Sequence, residues 1–328
     1  MKKKILIVIS ILSLIILIGC NSNNNENETT KGKEEISEEK ENEEMQNVEQ
    51  SSNLKKLKDE QLTHVHGMGY IEGGNKLLFG THAGLRVYKD DEWYETTENI
   101  NDYMGFSVVD QGFYTSGHPG AQSDLPNPIG LQRSFDGGQT LESVGFEGKT
   151  DFHFLAVGYK SHDIFLYNPS PNSKLEQGFY LSQDDGESWE SINASNVEGD
   201  YMSIAVHPSN SDILAIASVG GIYLSEDGGK NFELLTEKAQ GVGVFFNEST
   251  LFYSTYKNQA SLTAYQLQSK DKVEKNLPDL GEDAPVMIAQ NLKNLDEFAI
   301  YTYVNENVFI SKNDTKSWKQ ISESGRVQ

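Results

Sequence analysis

From residue 61 onward, short apolar runs alternate with polar turns, and the fourth unit shows the pattern most clearly. Tyr201-Met-Ser-Ile-Ala-Val206 reads as a buried strand, His207-Pro-Ser-Asn-Ser-Asp212 as a turn, and Ile213 to Ser218 as a second strand. Val219-Gly-Gly221 leads into Ile222-Tyr-Leu-Ser225, and Asn231-Phe-Glu-Leu-Leu235 closes the unit as an outer strand. Four such strands in succession predict an antiparallel meander. The unit recurs. Serines at 134, 182, 225, 269 and 311 open the turn before each outer strand, at separations of 48, 43, 44 and 42 residues. Tyr88-Lys-Asp-Asp-Glu-Trp93 stands where the first such turn belongs. A period of roughly 40–50 residues, each holding several short strands, is the pattern of a β-propeller. Inner strands starting near His64, Asp102, Asp151, Asp200, Gln240 and Ala284 predict six blades in an all-β domain. Residues 54–60 are available to add to the last blade, and the pattern does not say how the ring closes.

The turns have their own signature. Ser134-Phe-Asp136-Gly-Gly138-Gln-Thr-Leu141, Ser182-Gln-Asp184-Asp-Gly186-Glu-Ser-Trp189 and Ser225-Glu-Asp227-Gly-Gly229-Lys-Asn-Phe232 are close copies. Ser311 to Trp318 and Ser269-Lys-Asp271 are worn ones. They resemble the Asp-box of the sialidase-like (BNR repeat) propellers. In such a turn the Asp accepts backbone N–H groups, Gly takes the positive-φ position, and Trp or Phe packs between blades. The resemblance implies that the box faces away from the binding site, so its aspartates are read as structural.

Ahead of the repeats, Met1-Lys-Lys-Lys4 and the 14-residue apolar run Ile5 to Ile18 have the form of a secretory signal. The run is short for a membrane span, which needs roughly 20 residues. It ends in Leu17-Ile18-Gly19-Cys20, which resembles a bacterial lipobox whose Cys20 is lipidated. Signal peptide 1–19, a lipidated and disordered acidic, Asn-rich tether 20–60, and propeller 61–328 are the expected divisions. The expected location is the outer face of a bacterial cytoplasmic membrane, held by the lipid. Cys20 is the only cysteine, so the domain has no disulfide and no thiolate ligand.

A net charge of −22 with arginine only at 86, 133 and 326 leaves no basic face for nucleic acid or anionic headgroups. The same scarcity bears on chemistry. Sialidase action needs three arginines clamping the substrate carboxylate, and lysine does not reproduce that bidentate geometry. Sialidase activity is therefore not expected. A glycosidase using two plain carboxylates stays open, with Asp102, Asp124, Asp151, Asp200, Glu282 and Asp283 as candidates.

Placed on the blades, the seven histidines divide between two faces. His64 and His66 open the first inner strand, and His153 opens the third. His82 and His118 each end a second strand at that same mouth, whereas His162 and His207 fall in turns of the opposite face. Aligned inner strands give one column of His66, Met104, His153 and Met202, and another of His64, Asp102, Asp151 and Asp200. Residues two apart on a strand point the same way, so both columns can line the channel mouth. Imidazole and thioether donors without thiolate suit copper, with zinc as the second choice. Singly, such residues more often satisfy a polar strand end or fill a core gap; five histidines on one face argue for a metal set of His64, His66, His82, His118 and His153. The long segment Gly117 to Gly130 reads as a lid or specificity loop at this mouth.

His64-Val-His-Gly-Met-Gly-Tyr70, Thr81-His-Ala-Gly-Leu85, Tyr103-Met-Gly-Phe106, Ser116-Gly-His-Pro-Gly120, Asn127-Pro-Ile-Gly-Leu131 and Asp151-Phe-His153 together resemble a family of exported bacterial Asp-box propellers called glycosylhydrolase-like. The resemblance spans residues 61–328, and the family name derives from the Asp-box. Two functions are expected from these residues and that resemblance. One is a monomeric surface binding module taking a metal ion or small ligand at a His/Met/Asp mouth. The other is a hydrolase of extracellular or cell-wall glycans.

Overall fold

Each contiguous stretch of about forty residues folds back on itself as a meander, so every sheet is local in sequence. The computed structural model describes residues 53–328 apart from positions 59, 72, 237 and 238. The signal segment, Cys20 and the stretch 20–52 lie outside the described residues. Six antiparallel sheets follow in chain order, and among the described residues there is no helix. The inner strands are Val65–Tyr70, Asp102–Val109, Leu155–Val157, Tyr201–Val206, Gln240–Phe246 and Pro285–Gln290. Together they surround a central cavity of about 380 Å³. The protein is a six-bladed β-propeller.

Six apolar clusters hold the ring together, one at each junction between neighbouring blades. Phe79, Trp93, Ala299 and Ile321, for example, join the first blade to the sixth. Five inner strands carry a register shift near their start, at Val65/Gly67, Tyr103/Gly105, Tyr201/Ser203, Gly241/Gly243 and Pro285/Met287. Such a bulge re-aims the extra residue and sharpens the local twist. The extra residues are His66, Met104, Met202, Val242 and Val286, so the column that contains His66 is, His153 apart, a column of bulges. Glycine follows the first two because the next blade presses on it. A Cβ on Gly67 would lie 2.2 Å from the Phe106 carbonyl oxygen, and one on Gly105 would lie 1.9 Å from that of Phe152.

The serine-headed turns form a small hydrogen-bonded box. Ser134 Oγ accepts the Gly138 N–H and donates to Asp136, both at 2.9 Å. Asp136 in turn accepts the Thr140 N–H at 3.0 Å and its hydroxyl at 2.6 Å. The turns at Ser182, Ser225 and Ser311 repeat this, with Asn313 replacing the aspartate in the last. Serine therefore shares the backbone work that the sequence assigns to aspartate alone. Trp189 packs on Phe146 of the preceding blade with ring centroids 5.7 Å apart.

Closure uses the segment before the first inner strand twice. Leu54–Lys56 adds to the outer edge of the first blade against Glu92–Thr96. A few residues later Gln61 bridges Arg326, and the Leu62 N–H donates to the Gly325 carbonyl at 2.6 Å, on the edge of the sixth blade. Only the end of segment 54–60 thus approaches the last blade, where the Val327 N–H donates to the Glu60 carbonyl. Its beginning belongs to the first.

Candidate functional site

The bulge at His66 turns its imidazole into the mouth of the ring, where the strand end at Thr81 delivers His82. The two Nε2 atoms lie 2.7 Å apart and the rings stack at 4.8 Å, nearly parallel at 7°. His64, held at a positive φ of 43°, completes a cluster, 5.2 Å from His66 and 5.3 Å from His82 between ring centroids. His153 meets His66 edge-on at 6.2 Å. Burial, then the neighbouring imidazoles of His82, His64 and His153, push His66 down to about 3. It is consequently a neutral ring with a lone pair to offer.

Carboxylates flank this cluster on three sides. Glu306 Oε1 lies 2.7 Å from His64 Nδ1, which leaves the other ring nitrogen of His64 free to face the mouth. Asp102 Oδ1 stands 3.8 Å from His82 Nε2. That oxygen is buried and has no hydrogen-bond partner among the described residues. On the next blade junction, Asp151 Oδ2 lies 2.9 Å from His153 Nε2 and 3.3 Å from His118 Nε2. His118 Nδ1 donates to Asn127 Oδ1 at 2.7 Å, which ties the long Gly117–Gly130 segment to the site.

Met202 lines the central cavity together with His64, His66 and His153 and packs beside an apolar cluster, and Met104 is half-buried at its bulge. Asp200 is exposed, and its carbonyl accepts the Val219 N–H. Among the described residues, no hydrogen bond or ion pair links Asp200, Met104 or Met202 to the imidazoles. The cluster is confined to blades one to three, with Glu306 reaching in from blade six. Asp283 is a structural clamp. Burial alone would raise it, but N–H groups of Val304, Asn305 and Ala284 hold it below the usual carboxylate range. His162 pairs with Asp110 at 2.8 Å and His207 with the Glu248 carbonyl at 3.1 Å, both on the opposite face.

Glu306 is not singled out by the sequence, and Asn127 enters there only as part of a motif, not as a site residue. Each lies in a connection between second and third strands, the same class of connection that follows His82 and His118. That shared position was the available signal. A cluster of Phe154, Tyr167 and Tyr201 at the mouth of blades three and four, with Tyr167 and Tyr201 5.4 Å apart, also passed unnoticed. Among the described residues, no three side chains of His, Cys, Asp or Glu already stand around one point as a metal cage. The arginines are engaged structurally. Arg86 donates to the Ala83 carbonyl at 2.7 Å, and Arg133 pairs with Glu142 and Asp185.

An all-β ring of six blades, with histidines gathered at one mouth, places the chain among the β-propellers. Its scaffold has named relatives. The Sortilin-Vps10 family model (sortilin, neurotensin receptor 3) matches residues 130–322, more than half of the chain, and the chain belongs to this family. No curated protein matches it in sequence. Among solved structures it is similar to the GH74 xyloglucanase from Xanthomonas campestris, at 12% identity and a TM-score of 0.53 over 82% of this chain and 46% of that one. A GH74 enzyme from Niastella koreensis matches at 13% identity, TM-score 0.53, over 82% and 47%. A chain of a nidogen/laminin complex matches at 14% identity, TM-score 0.53, over 77% and 95%. The chain spans about half the length of those GH74 enzymes, and the likeness is one of fold.

Proposed function

We propose that this propeller is a surface binding module that holds a transition-metal ion, copper or zinc, at its mouth between His66, His82 and Asp102, with His64 alongside. One observation carries the reading. A buried carboxylate oxygen with no hydrogen-bond partner among the described residues faces, at 3.8 Å, an imidazole whose Nε2 already meets a second imidazole. Leaving such an oxygen unpaired costs several kcal/mol, and a cation relieves that cost directly. An ion in this place would replace the proton shared by His66 and His82. Two or three imidazoles and one carboxylate suit borderline divalent ions, copper(II) or zinc. Met202, whose thioether would favour copper(I), lines the same cavity but forms no hydrogen bond with the imidazoles among the described residues. Glu306 on His64 is the kind of outer partner that orients a ligating imidazole. The same reading takes the protein as a monomer anchored through Cys20 on the outer face of the membrane.

Hydrolysis of glycans is the weaker reading, because Asp151 and Asp283 are already committed to imidazole and backbone partners. The family match begins at residue 130, beyond His64, His66, His82, Asp102 and His118. The metal reading therefore stands on the residues of this chain. Calorimetric titration of the full chain with copper(II) and zinc should show binding that falls by at least about 100-fold in His66→Ala/His82→Ala. Equal affinity in the two proteins would sink the reading.

A further inference from the structure

We propose that the mouth holds two ions, the second between His118, Asp151 and His153, one blade further round the ring. This rests on the metal reading above and extends it. The argument begins with the repeat, which makes corresponding positions of successive blades equivalent. His82 follows the end of the second strand in blade one and faces Asp102, the head of the inner strand of blade two, at 3.8 Å. His118 ends the second strand of blade two and faces Asp151, just ahead of the inner strand of blade three, at 3.3 Å. The same His–Asp pair thus occupies two successive junctions. At the third junction the second strand ends instead in Asn168, which is buried and donates to the carbonyls of Ser170 and Glu176. The pair stops there although Asp200 is present.

Each pair is joined by a further imidazole. His66 meets His82 at 2.7 Å, and His153 meets the carboxylate of Asp151 at 2.9 Å. The second centre therefore offers two imidazoles and a carboxylate, a donor set matching the first and suited to zinc or copper(II). Its rings are held as ligands are held. Asn127 fixes His118 through Nδ1 and so presents Nε2 to Asp151, as Glu306 fixes His64. Both Nε2 atoms converge on one oxygen, Asp151 Oδ2, where a cation would replace their protons. His66 and His153, 6.2 Å apart, form the wall between the centres. Three carboxylates, Asp102, Asp151 and Glu306, offset most of the charge of two divalent ions.

The test is metal stoichiometry on the full chain, by elemental analysis after equilibration with zinc or copper(II). It compares wild type with His82→Gln/Asp102→Asn, His118→Gln/Asp151→Asn and the combination of all four. We expect two ions in the wild type, one in each double variant and none in the fourfold variant, with melting temperatures reporting that each protein is folded. If a double variant fails to fold, the single Asp151→Asn, which keeps the side-chain shape, carries the same count. A wild type with one ion, lost in the His82/Asp102 variant and kept in the His118/Asp151 variant, overturns the second centre and leaves the first standing. An ion lost only with His118/Asp151 supports the second centre and removes the first. No bound ion in the wild type overturns both.

Discussion

His66 is where the local chain and the assembled ring make opposite demands. Its strand position gives it a bulge and an inward ring, and three other imidazoles then crowd the same space. Burial and those neighbours push its pKa down to about 3, against about 6.5 in an unfolded chain. Between these values the unfolded state binds a proton that the folded state refuses. The stability contributed here is thus intact above pH 6.5 and is lost as pH falls toward 3, by up to about 1.4 kcal/mol per pH unit. His66→Gln keeps a polar side chain and removes the titration. On going from pH 7 to pH 4 in urea unfolding, wild type should lose stability relative to the variant. A difference that stays constant with pH would show that His66 is not held neutral.

At the scale of the strand, the controlling feature is the contact between neighbouring inner strands just after the bulge. Gly105 has no room for a side chain, because its Cβ would overlap the Phe152 carbonyl. Gly105→Ala must push blades two and three apart, a strain of about 1–3 kcal/mol. A melting temperature lowered by several degrees, with metal affinity reduced because Asp151 and His153 move with blade three, is the expected outcome. An unchanged melting temperature would mean that the blades yield freely at this junction. Such contacts also explain what could be read in the sequence. The boxes at Ser134, Ser182 and Ser225 were legible because their bonds span at most four residues. The alignment of His66 with Met104 and His153 came from the same repeat. The bulges themselves were not legible, because a register shift is decided by the partner strand. Glu306 meets His64 across 242 positions of sequence, and no local pattern announces a contact of that kind. The inclusion of Met104 and Met202 in the site followed from alignment alone, which places a residue on a face without saying whether its side chain meets the imidazoles.

For the molecule as a whole, the mouth depends on a closed ring, since Glu306 belongs to blade six and the residues it supports to blade one. Closure is not made by a strand swapped wholly into the last blade. Leu54–Lys56 instead lie along the outer edge of blade one and Gln61 and Leu62 along the outer edge of blade six, and Trp93 donates its indole N–H to the Ile321 carbonyl at 2.9 Å. Leu57 and Leu62 are 4% and 1% exposed in the cluster that joins these two blades. Burying two leucines contributes roughly 3–6 kcal/mol. A chain shortened to begin at Thr63 should therefore melt roughly 10 °C below one that begins at Asn53. Because the first and sixth blades would then part most readily, the shortened protein should also lose the His64–Glu306 contact and bind metal more weakly than its melting temperature alone would suggest. Equal melting temperatures for the two chains would mean that the blade interfaces close the ring by themselves, and that the segment before Thr63 only follows a surface already formed.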